Sequence, residues 1–402
     1  MTGRMRSREQ GFSLVELMIS IVIGMLALVF ALRLMSGSER TQRNGVGSSD
    51  AMQNGMLALF SMSGDAAQAG YGLNDPIIAG CDTVFSDAQH YALASVTAGG
   101  VAVTPLAPVI IEKEVGGASA TPTTDGENPD RVNFYAGSSI TGTGTLRLLS
   151  AYSAGTRIVV DRVPYGFRQG DVIVVAPEQL GGKCALAQIS SDPDALAALP
   201  AQQSVDVVQN SDYRYNSGGL GASFGAGVSR VFNLGPASSL SFHTWSVANG
   251  FLQLRSTDMA GAAQNPAAVA GDIVSIKAQY GFDNRVGANF TPDAGMQVKV
   301  WSATMINADG DGVTGGAGDY LRIAAVRLAV VARSRTPDAA PAGGSCTATT
   351  GPLTVFAGGS AGADAVPVKV KLGVPDDTVD WRCYRYRVFE TIVPLRNFVW
   401  RP

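Results

Sequence analysis

The strongest hydrophobic pattern lies at the start of the chain. An apolar run from Phe12 to Leu32 contains one charged residue, Glu16, and follows a short basic head with three arginines. At about 1.5 Å per residue, a helix of this length matches a bilayer core of roughly 30 Å. The basic head is expected to stay in the cytoplasm. The pattern therefore predicts a transmembrane helix over residues 12–35, with the rest of the chain outside.

Helical character continues beyond this span, over residues 36–70, which contain no proline. Apolar side chains recur there at helical spacing, at Met52, Met56, Leu59 and Phe60. We expect this stripe to pack against a globular domain. A glycine weakens a helix by up to about 1 kcal/mol relative to alanine. Because Gly45, Gly47 and Gly55 lie in this segment, we expect the helix to be bent or locally melted.

From residue 71 onward, short apolar runs alternate with turn residues, a pattern typical of β-strands. The strand candidates are Arg131–Ala136, Arg157–Asp161, Asp171–Ala176, Ser238–Trp245, Asp272–Phe282, Met296–Trp301, Leu321–Ala332, Val366–Leu372 and Tyr384–Val393. Three Gly- and Ser-rich connectors, predicted to be mobile surface loops, are Gly116–Asp130, Asn216–Gly227 and Thr336–Thr350. We therefore predict a β-rich globular domain over residues 71–402.

Composition and charge exclude several classes of function. The formal net charge is −3, and the basic residues are scattered, so we expect no direct nucleic-acid binding. The chain has two histidines, which are few potential ligands for a His/Cys zinc site. Residues 221–225 (Gly-Ala-Ser-Phe-Gly) match the G-x-S-x-G pattern of serine hydrolases, but they lie in a glycine-rich loop rather than between a strand and a helix. We predict that the chain is not an enzyme and requires no cofactor.

The apolar run alone leaves more than one interpretation open. A cleaved secretory signal usually has a shorter apolar region followed by a small-residue cleavage site, and no such site is evident here. A plain membrane anchor leaves Glu16 unexplained, because a carboxylate in an apolar span costs a few kcal/mol and usually marks function. The motif Gly11-Phe12-Ser13-Leu14-Val15-Glu16 offers a third interpretation. It resembles the prepilin processing motif of type IV pilins and type II secretion pseudopilins.

This resemblance implies a role for three residues. In that family a membrane peptidase cuts after the glycine and methylates the new N-terminal residue. Residues 1–11 would then be the leader peptide, Gly11 its last residue, and Phe12 the methylated first residue of the mature chain. Glu16 would pair with the terminal amine of a neighbouring subunit, which would make a buried carboxylate tolerable.

A second resemblance covers the globular part. Three short segments are similar to PilW-type minor pilins: residues 69–72 (Ala-Gly-Tyr-Gly) followed by Cys81, residues 326–334 (Val-Arg-Leu to Ala-Arg-Ser), and residues 384–397 (Tyr-Arg-Tyr-Arg-Val-Phe, then Val-Pro-Leu-Arg-Asn). These segments bracket most of the mature chain. The chain is long for that family, and insertions in its middle would account for the extra length.

The four cysteines, Cys81, Cys184, Cys346 and Cys383, suit two disulfides in an exported protein. Three connectivities are possible. We favour the pairs Cys81–Cys184 and Cys346–Cys383 for one reason, which is that this pairing joins neighbouring cysteines and closes local loops. The second pair would close a loop rich in glycine, alanine and proline.

One loop is a candidate calcium site. Asn307, Asp309 and Asp311 place oxygen ligands at the first, third and fifth positions before a glycine, as in calcium-binding loops. The loop departs from the EF-hand pattern at its twelfth position, where Gly318 stands just before Asp319. A polar turn is the alternative interpretation. Calcium, if held by Asn307, Asp309, Asp311 and Asp319, would stiffen the loop rather than take part in catalysis.

Together these features predict an α+β, pilin-like fold, with a long N-terminal helix packed on an antiparallel β-sheet and a large β-rich elaboration. The resemblances imply a minor pilin that helps initiate or cap a type IV pilus, with motility, adhesion or DNA uptake downstream. The expected partners are other minor and major pilins, the prepilin peptidase, the inner-membrane assembly platform and the lipid bilayer. We expect the chain in the inner membrane with a periplasmic domain, and then in the pilus. A type II secretion pseudopilin and a pilus-associated adhesin with ligand-binding loops are the alternatives.

Overall fold

The computed structural model describes residues 14–113, 126–138, 145–193, 203–292, 295–340, 343–358 and 366–399. The predicted leader, Gly11 and Phe12 lie outside the described residues, as does most of the predicted connector Gly116–Asp130. The chain divides into two compact units, Met1–Asp50 and Ala51–Pro402.

A single long helix, α1 (Leu14–Gln68), supplies the described residues of the first unit and the start of the second. It ends just before Gly70, which adopts the left-handed backbone conformation that favours glycine (φ 84°). The amide of Gly70 donates to the carbonyl of Tyr135 at 2.8 Å, which joins the end of the helix to a strand.

The local melting predicted at Gly45, Gly47 and Gly55 is not observed, because the backbone is helical at all three positions. The cost of each glycine is about 1 kcal/mol. In a continuous helix each added residue gains a hydrogen bond without a new nucleation cost. The flanking residues therefore carry the helix through these positions.

Within the described residues the strands, in chain order, are β1 (Asp82–Val84), β2 (Val96–Ala98), β3 (Val101–Val103), β4 (Val109–Glu112), β5 (Arg131–Ala136), β6 (Leu146–Arg147), β7 (Arg157–Val159), β8 (Asp171–Pro177), β9 (Lys183–Gln188), β10 (Ser204–Asp206), β11 (Ser229–Pro236), β12 (Ser241–Ala248), β13 (Phe251–Ser256), β14 (Ala267–Gly271), β15 (Ile273–Phe282), β16 (Val300–Ser302), β17 (Ile323–Arg333), β18 (Leu353–Val355), β19 (Val368–Val370) and β20 (Tyr386–Pro394). Two short helices are α2 (Ala317–Tyr320) and α3 (Arg396–Val399).

Two antiparallel sheets carry the main core. One has the strand order β14-β13-β12-β5-β4 and the other β16-β15-β17-β20. Strands β15 and β17 are buried along almost their whole length, so both of their faces are covered. Side chains from both sheets and from the end of α1, among them Met62, Trp245 and Leu328, form one apolar cluster. The predicted α+β fold, a helix packed on antiparallel sheet, is confirmed.

The β-rich elaboration adds a third sheet, in the order β1-β9-β8-β11-β6. Strand β8 shows how this sheet is shared between two cores. Val172 and Val174 face the main core, whereas Ile173 and Val175 face a second one. This alternation is the two-residue period of a strand. The second core is completed by the two-stranded sheet β7-β10, which contributes Ile158.

The predicted mobile loop Asn216–Gly227 is instead packed against this second core. Leu220 and Phe224 are buried there. Phe224 exchanges backbone hydrogen bonds of 2.8 Å with Tyr152, and the side chain of Asn216 bonds to the backbone at the end of β9. The prediction of mobility was wrong because it rested on glycine content and overlooked the two apolar anchors.

The predicted connector Thr336–Thr350 is tied to the C-terminal part of the chain. Cys346 is disulfide-bonded to Cys383, and Asp338 forms an ion pair with Arg385 at 3.0 Å. A small apolar cluster includes residues of β18 and β19, the two-stranded sheet that follows the connector.

Each of the nine predicted strands overlaps an observed strand, but two differ clearly at their ends. The residues before β12 form a 3-10 turn, Ala237–Ser239. The predicted strand from Met296 begins only at Val300. There the amide of Gln297 donates to the Asp283 carboxylate at 2.9 Å, so a side chain takes the place of a strand partner.

Candidate functional site

The first unit presents an uncovered apolar helix. The span Leu14–Met35 has 22 residues and a mean hydropathy of 2.6, and none of it is buried. At about 1.5 Å per residue the span is about 33 Å long, which is enough to cross a bilayer core of roughly 30 Å. By length and composition, this helix can therefore serve as a membrane anchor.

Glu16 is the acidic residue of this span and lies near its start. Its backbone carbonyl accepts a hydrogen bond from the Ser20 hydroxyl at 2.7 Å. Its side chain is exposed, and among the described residues none forms an ion pair with its carboxylate. A carboxylate in hydrocarbon is costly unless it is neutralised. In a membrane, Glu16 would therefore require a cationic partner, and the described part of this chain supplies none.

Small residues, rather than the predicted Met/Leu/Phe stripe, pack α1 against the globular unit. The buried residues of the described helix are Gly47, Ala51, Gly55, Ala58, Met62 and Ala66, all of them small except Met62. Beyond the apolar span Leu14–Met35, the exposed large apolar residues of the described helix are Met52, Met56, Leu57 and Phe60, of which Phe60 is 77% exposed. Within the predicted stripe, only Leu59 packs partly against the core. The prediction that this stripe faces the domain was wrong.

Gly55 shows why the inward face consists of small residues. A Cβ atom at this position would run into the ring of Phe389 in β20. The helix backbone therefore lies against the sheet at a distance that only glycine allows. The spacing of alanines and glycine along α1 was a signal that the sequence analysis missed, because larger apolar side chains occupied another face.

The C-terminal motif holds the end of α1 in place. The side-chain amide of Asn397 donates to the carbonyls of Ala67 and Gln68 at 3.1 and 3.2 Å. These carbonyls lie at the helix end, where no intrahelical donor remains. Leu395 and Phe398 are buried in the main core beside them. The resembling segment 384–397 therefore joins the first and last parts of the globular unit.

A charged cluster fixes α1 to β12. His243 Nδ1 lies 2.6 Å from Asp65 Oδ2 on the helix, and His243 Nε2 lies 2.9 Å from Asp258 Oδ1. Trp245 donates its indole N–H to the same Asp65 oxygen at 2.7 Å. Burial alone would lower the pKa of His243, but the hydrogen bonds and charges of Asp258 and Asp65 raise it to about 9. The imidazolium is thus the stable form near neutral pH.

This cluster resembles a catalytic triad, because Ser241 Oγ lies 3.1 Å from His243 Nε2 while Asp65 holds the other ring nitrogen. Asp258 shares that Nε2, however, and a ring with a pKa of about 9 does not accept a serine proton near neutral pH. Ser223, in the G-x-S-x-G match, is exposed in the loop before β11. Neither serine has the surroundings that nucleophilic catalysis needs.

Both cysteine pairs are disulfide-bonded in the pairing favoured from the sequence. Cys81 and Cys184 join the residue before β1 to β9, with Cα atoms 5.9 Å apart. Cys346 and Cys383 have Cα atoms 4.8 Å apart. The first bridge lies in the main core and the second anchors the connector before β18.

The candidate calcium loop is organised around Asp319. Its two carboxylate oxygens accept backbone N–H bonds from residues 308, 309, 315 and 316. Asn307, Asp309 and Asp311 each accept a bond from a backbone amide two or three residues further on. Among the described residues, no group of three or more His, Cys, Asp or Glu side chains is arranged to hold a metal ion. Calcium binding at these four residues stays a prediction.

Two parts of the chain match models of known protein families. Residues 6–32 match the family model described as prokaryotic N-terminal methylation motif. Residues 244–397, which include two of the three resembling segments, match the family model described as type IV pilus-assembly protein W.

No curated protein matches the chain. Among solved structures, a type IV-like pilin from Thermus thermophilus is 15% identical, with a TM-score of 0.21, over 40% of this chain and 70% of that one. A TM-score this low establishes no shared fold over the whole chain.

Proposed function

We propose that this chain, which its two family matches identify as a PilW-type type IV pilin, is a minor pilin that helps to initiate or cap pilus assembly. One observation carries the proposal. A single helix, Leu14–Gln68, contains the described part of the methylation motif (residues 14–32), an uncovered apolar span with Glu16, and a continuation that is fixed to a globular domain.

Glu16 is the proposed assembly residue. It is a carboxylate at the start of an apolar span, and no described residue of the chain pairs with it. Cleavage after Gly11 would create a free amine at Phe12 on each subunit. The amine of one subunit would neutralise Glu16 of the next, since an ion pair lowers the cost of both charges in a medium of low dielectric constant.

The exposed face of the helix continuation supports subunit packing. Met52, Met56 and Phe60 recur every four residues, so they form one stripe on the helix surface. Small residues already fix the opposite face to the domain. The stripe is therefore available to helices of other pilins, which are the partners that the family matches suggest.

The inserted lobe supports a position at a filament end rather than along the shaft. The lobe comprises the sheet β1-β9-β8-β11-β6 and the second core, and it lies before the matched region 244–397. A subunit repeated along a shaft must fit a copy of each such lobe beside its neighbours. A subunit at the end needs room for only one.

Replacement of Glu16 by alanine tests the proposal. The variant should be inserted in the inner membrane and processed like the wild type, yet be depleted at least tenfold from sheared pili. Ser20→Ala is the matched control, because it lies one turn away in the same span and should enter pili normally. Equal amounts of the Glu16→Ala and wild-type chains in sheared pili would contradict the assembly role.

A further inference from the structure

A buried charge cluster lies between the two main sheets and has no part in the proposed assembly. Lys277 projects from β15 and Asp130 lies just before β5, and their side chains are 1% and 0% exposed. Two further charged residues flank this pair. They are Glu127, at 35% exposure, and Lys113, at 21%.

The atoms around the Asp130 carboxyl group are placed for a chemical step. Lys277 Nζ lies 2.9 Å from Asp130 Oδ1 and 3.0 Å from Glu127 Oε2. Asp130 Oδ2 accepts two bonds, from Lys113 Nζ at 2.6 Å and from the Ala278 amide at 3.0 Å. The site thus holds an amine, a carboxyl group, a second carboxylate in contact with the amine, and two donors on one oxygen.

We propose that Lys277 and Asp130 condense to an intramolecular amide bond, with Glu127 as the proton carrier. Lys113 and the Ala278 amide hold the oxygen on which negative charge develops. This is the arrangement by which fixed donors stabilise a tetrahedral intermediate in acyl transfer.

The step begins with proton transfer within the pair, from the Lys277 ammonium to Asp130 Oδ1. The neutral amine then attacks Asp130 Cγ, forming the C–N bond, and gives one proton to Glu127. The negative charge of the intermediate lies on Oδ2. Glu127 returns the proton to the Oδ1 hydroxyl, the C–O bond breaks, and one water molecule leaves. No oxidant or other reactant is needed.

Burial favours the amide product because condensation removes the two most deeply buried charges of this cluster. An ion pair out of water bears a desolvation penalty on both partners, and neutral forms avoid it. Burial also lowers the pKa of Lys113, so desolvation disfavours the charged form of that neighbouring amine. After condensation, Glu127 and Lys113 remain as one negative and one positive charge, both closer to solvent. Because the fold already holds the two reacting groups in contact, the reaction does not require them to meet by diffusion.

The bond would join residues 147 positions apart in sequence. It would tie β15, in one main sheet, to the segment that leads into β5, in the other. A filament subunit that carries load through its globular domain would gain a covalent link between its sheets.

Intact-mass spectrometry of the full chain, purified from membranes and denatured, tests the proposal. The wild type should be lighter by one water, about 18 Da, than the mature sequence with an N-methyl group on Phe12 and two disulfides. Proteolysis should release a branched peptide in which Lys277 is joined to Asp130. The Lys277→Arg and Glu127→Gln variants should each have the mass calculated for the mature variant chain, with no water lost. Glu127→Gln is the more decisive variant, because its side chain is partly exposed and the core stays filled.

Lys183→Ala is the matched control, since Lys183 is exposed and its loss should leave the water deficit unchanged. A cyclic imide at Asp125, Asp309 or Asp311, each followed by glycine, would also remove one water. Mild alkali hydrolyses an imide but leaves an amide intact. A wild-type mass equal to the full sequence, or a deficit that persists in Lys277→Arg, would show that the cluster is an ion pair only.

Discussion

Replacing His243 with glutamine should destabilise the protein strongly at acidic and neutral pH and weakly at alkaline pH. The imidazolium bridges Asp65 on α1 and Asp258 after β13, at 2.6 and 2.9 Å. Glutamine keeps similar bulk and can make one hydrogen bond, but it carries no charge. The variant therefore removes the electrostatic part of the bridge between the helix and the sheet.

The size of the effect follows from the pKa of His243. Burial alone would lower this pKa, but Asp258 and Asp65 raise it from 6.5 to about 9. Because the folded state binds the proton more tightly than the unfolded state, the stabilisation is fully present below pH 6.5 and is lost as pH rises through about 9. One pKa unit corresponds to about 1.4 kcal/mol, so the pH-dependent part amounts to about 3 kcal/mol.

Urea unfolding of the full chain in detergent, at pH 6, 8 and 10, measures this difference. Tryptophan fluorescence is a suitable signal, because the indole of Trp245 donates to Asp65 within the cluster. The matched control is His90→Asn. His90 is exposed and has a left-handed backbone (φ 61°), which asparagine tolerates. The control should show no pH-dependent change.

The comparison between pH 6 and pH 10 tests whether the two carboxylates hold His243 as an imidazolium. The loss of unfolding free energy in His243→Gln should be about 3 kcal/mol larger at pH 6 than at pH 10. A loss that is constant with pH, or that grows toward pH 10, would mean that His243 is not held as an imidazolium by the two carboxylates.

Two further predictions concern packing and cross-linking. Gly55→Leu should lower the free energy of unfolding by about 1–3 kcal/mol, because the new side chain meets the ring of Phe389. Gly64→Ala, a helix glycine with open space around it, should instead raise it by up to about 1 kcal/mol. Urea unfolding of both variants distinguishes them, and equal stability would disprove the close approach of helix and sheet. Replacing Cys346 and Cys383 together by serine should cost roughly 3–4 kcal/mol in the same assay. A double variant as stable as the wild type would argue against a stabilising role for this disulfide.

The long central strands could be predicted from the sequence because their hydrophobic patterns are clear. Ile323–Arg333 is almost continuously apolar, whereas Ile273–Phe282 alternates apolar side chains with Ser275, Lys277 and Gln279, and both patterns indicate strands. Shorter strands such as Lys183–Gln188 were missed. Six residues carry too little pattern to indicate a strand, even though this one pairs with β8, which directly precedes it in the chain.

One missed element did have a local signal. Asn249 and Gly250 connect β12 and β13, and both have positive φ, at 51° and 79°. An Asn-Gly pair between apolar runs is the strongest short-range indication of a hairpin. The predicted strand ended at Trp245, four residues before this pair, so the turn was not predicted.

The error on α1 has a different origin. Helical spacing showed that Met52, Met56 and Phe60 share a face, but spacing alone does not say what that face meets. The choice was decided by the distance between helix and sheet, which at Gly55 leaves no room for a side chain. That distance depends on Phe389, more than 300 residues away, and no local pattern contains it.

Mass spectrometry of the N-terminal peptide from the native protein tests the pilin assignment most directly. The expected peptide begins at Phe12 and carries one added methyl group on its amine. A chain that begins at Met1, or at a residue beyond the apolar span that ends near Met35, would contradict processing after Gly11 and remove the amine that Glu16 needs.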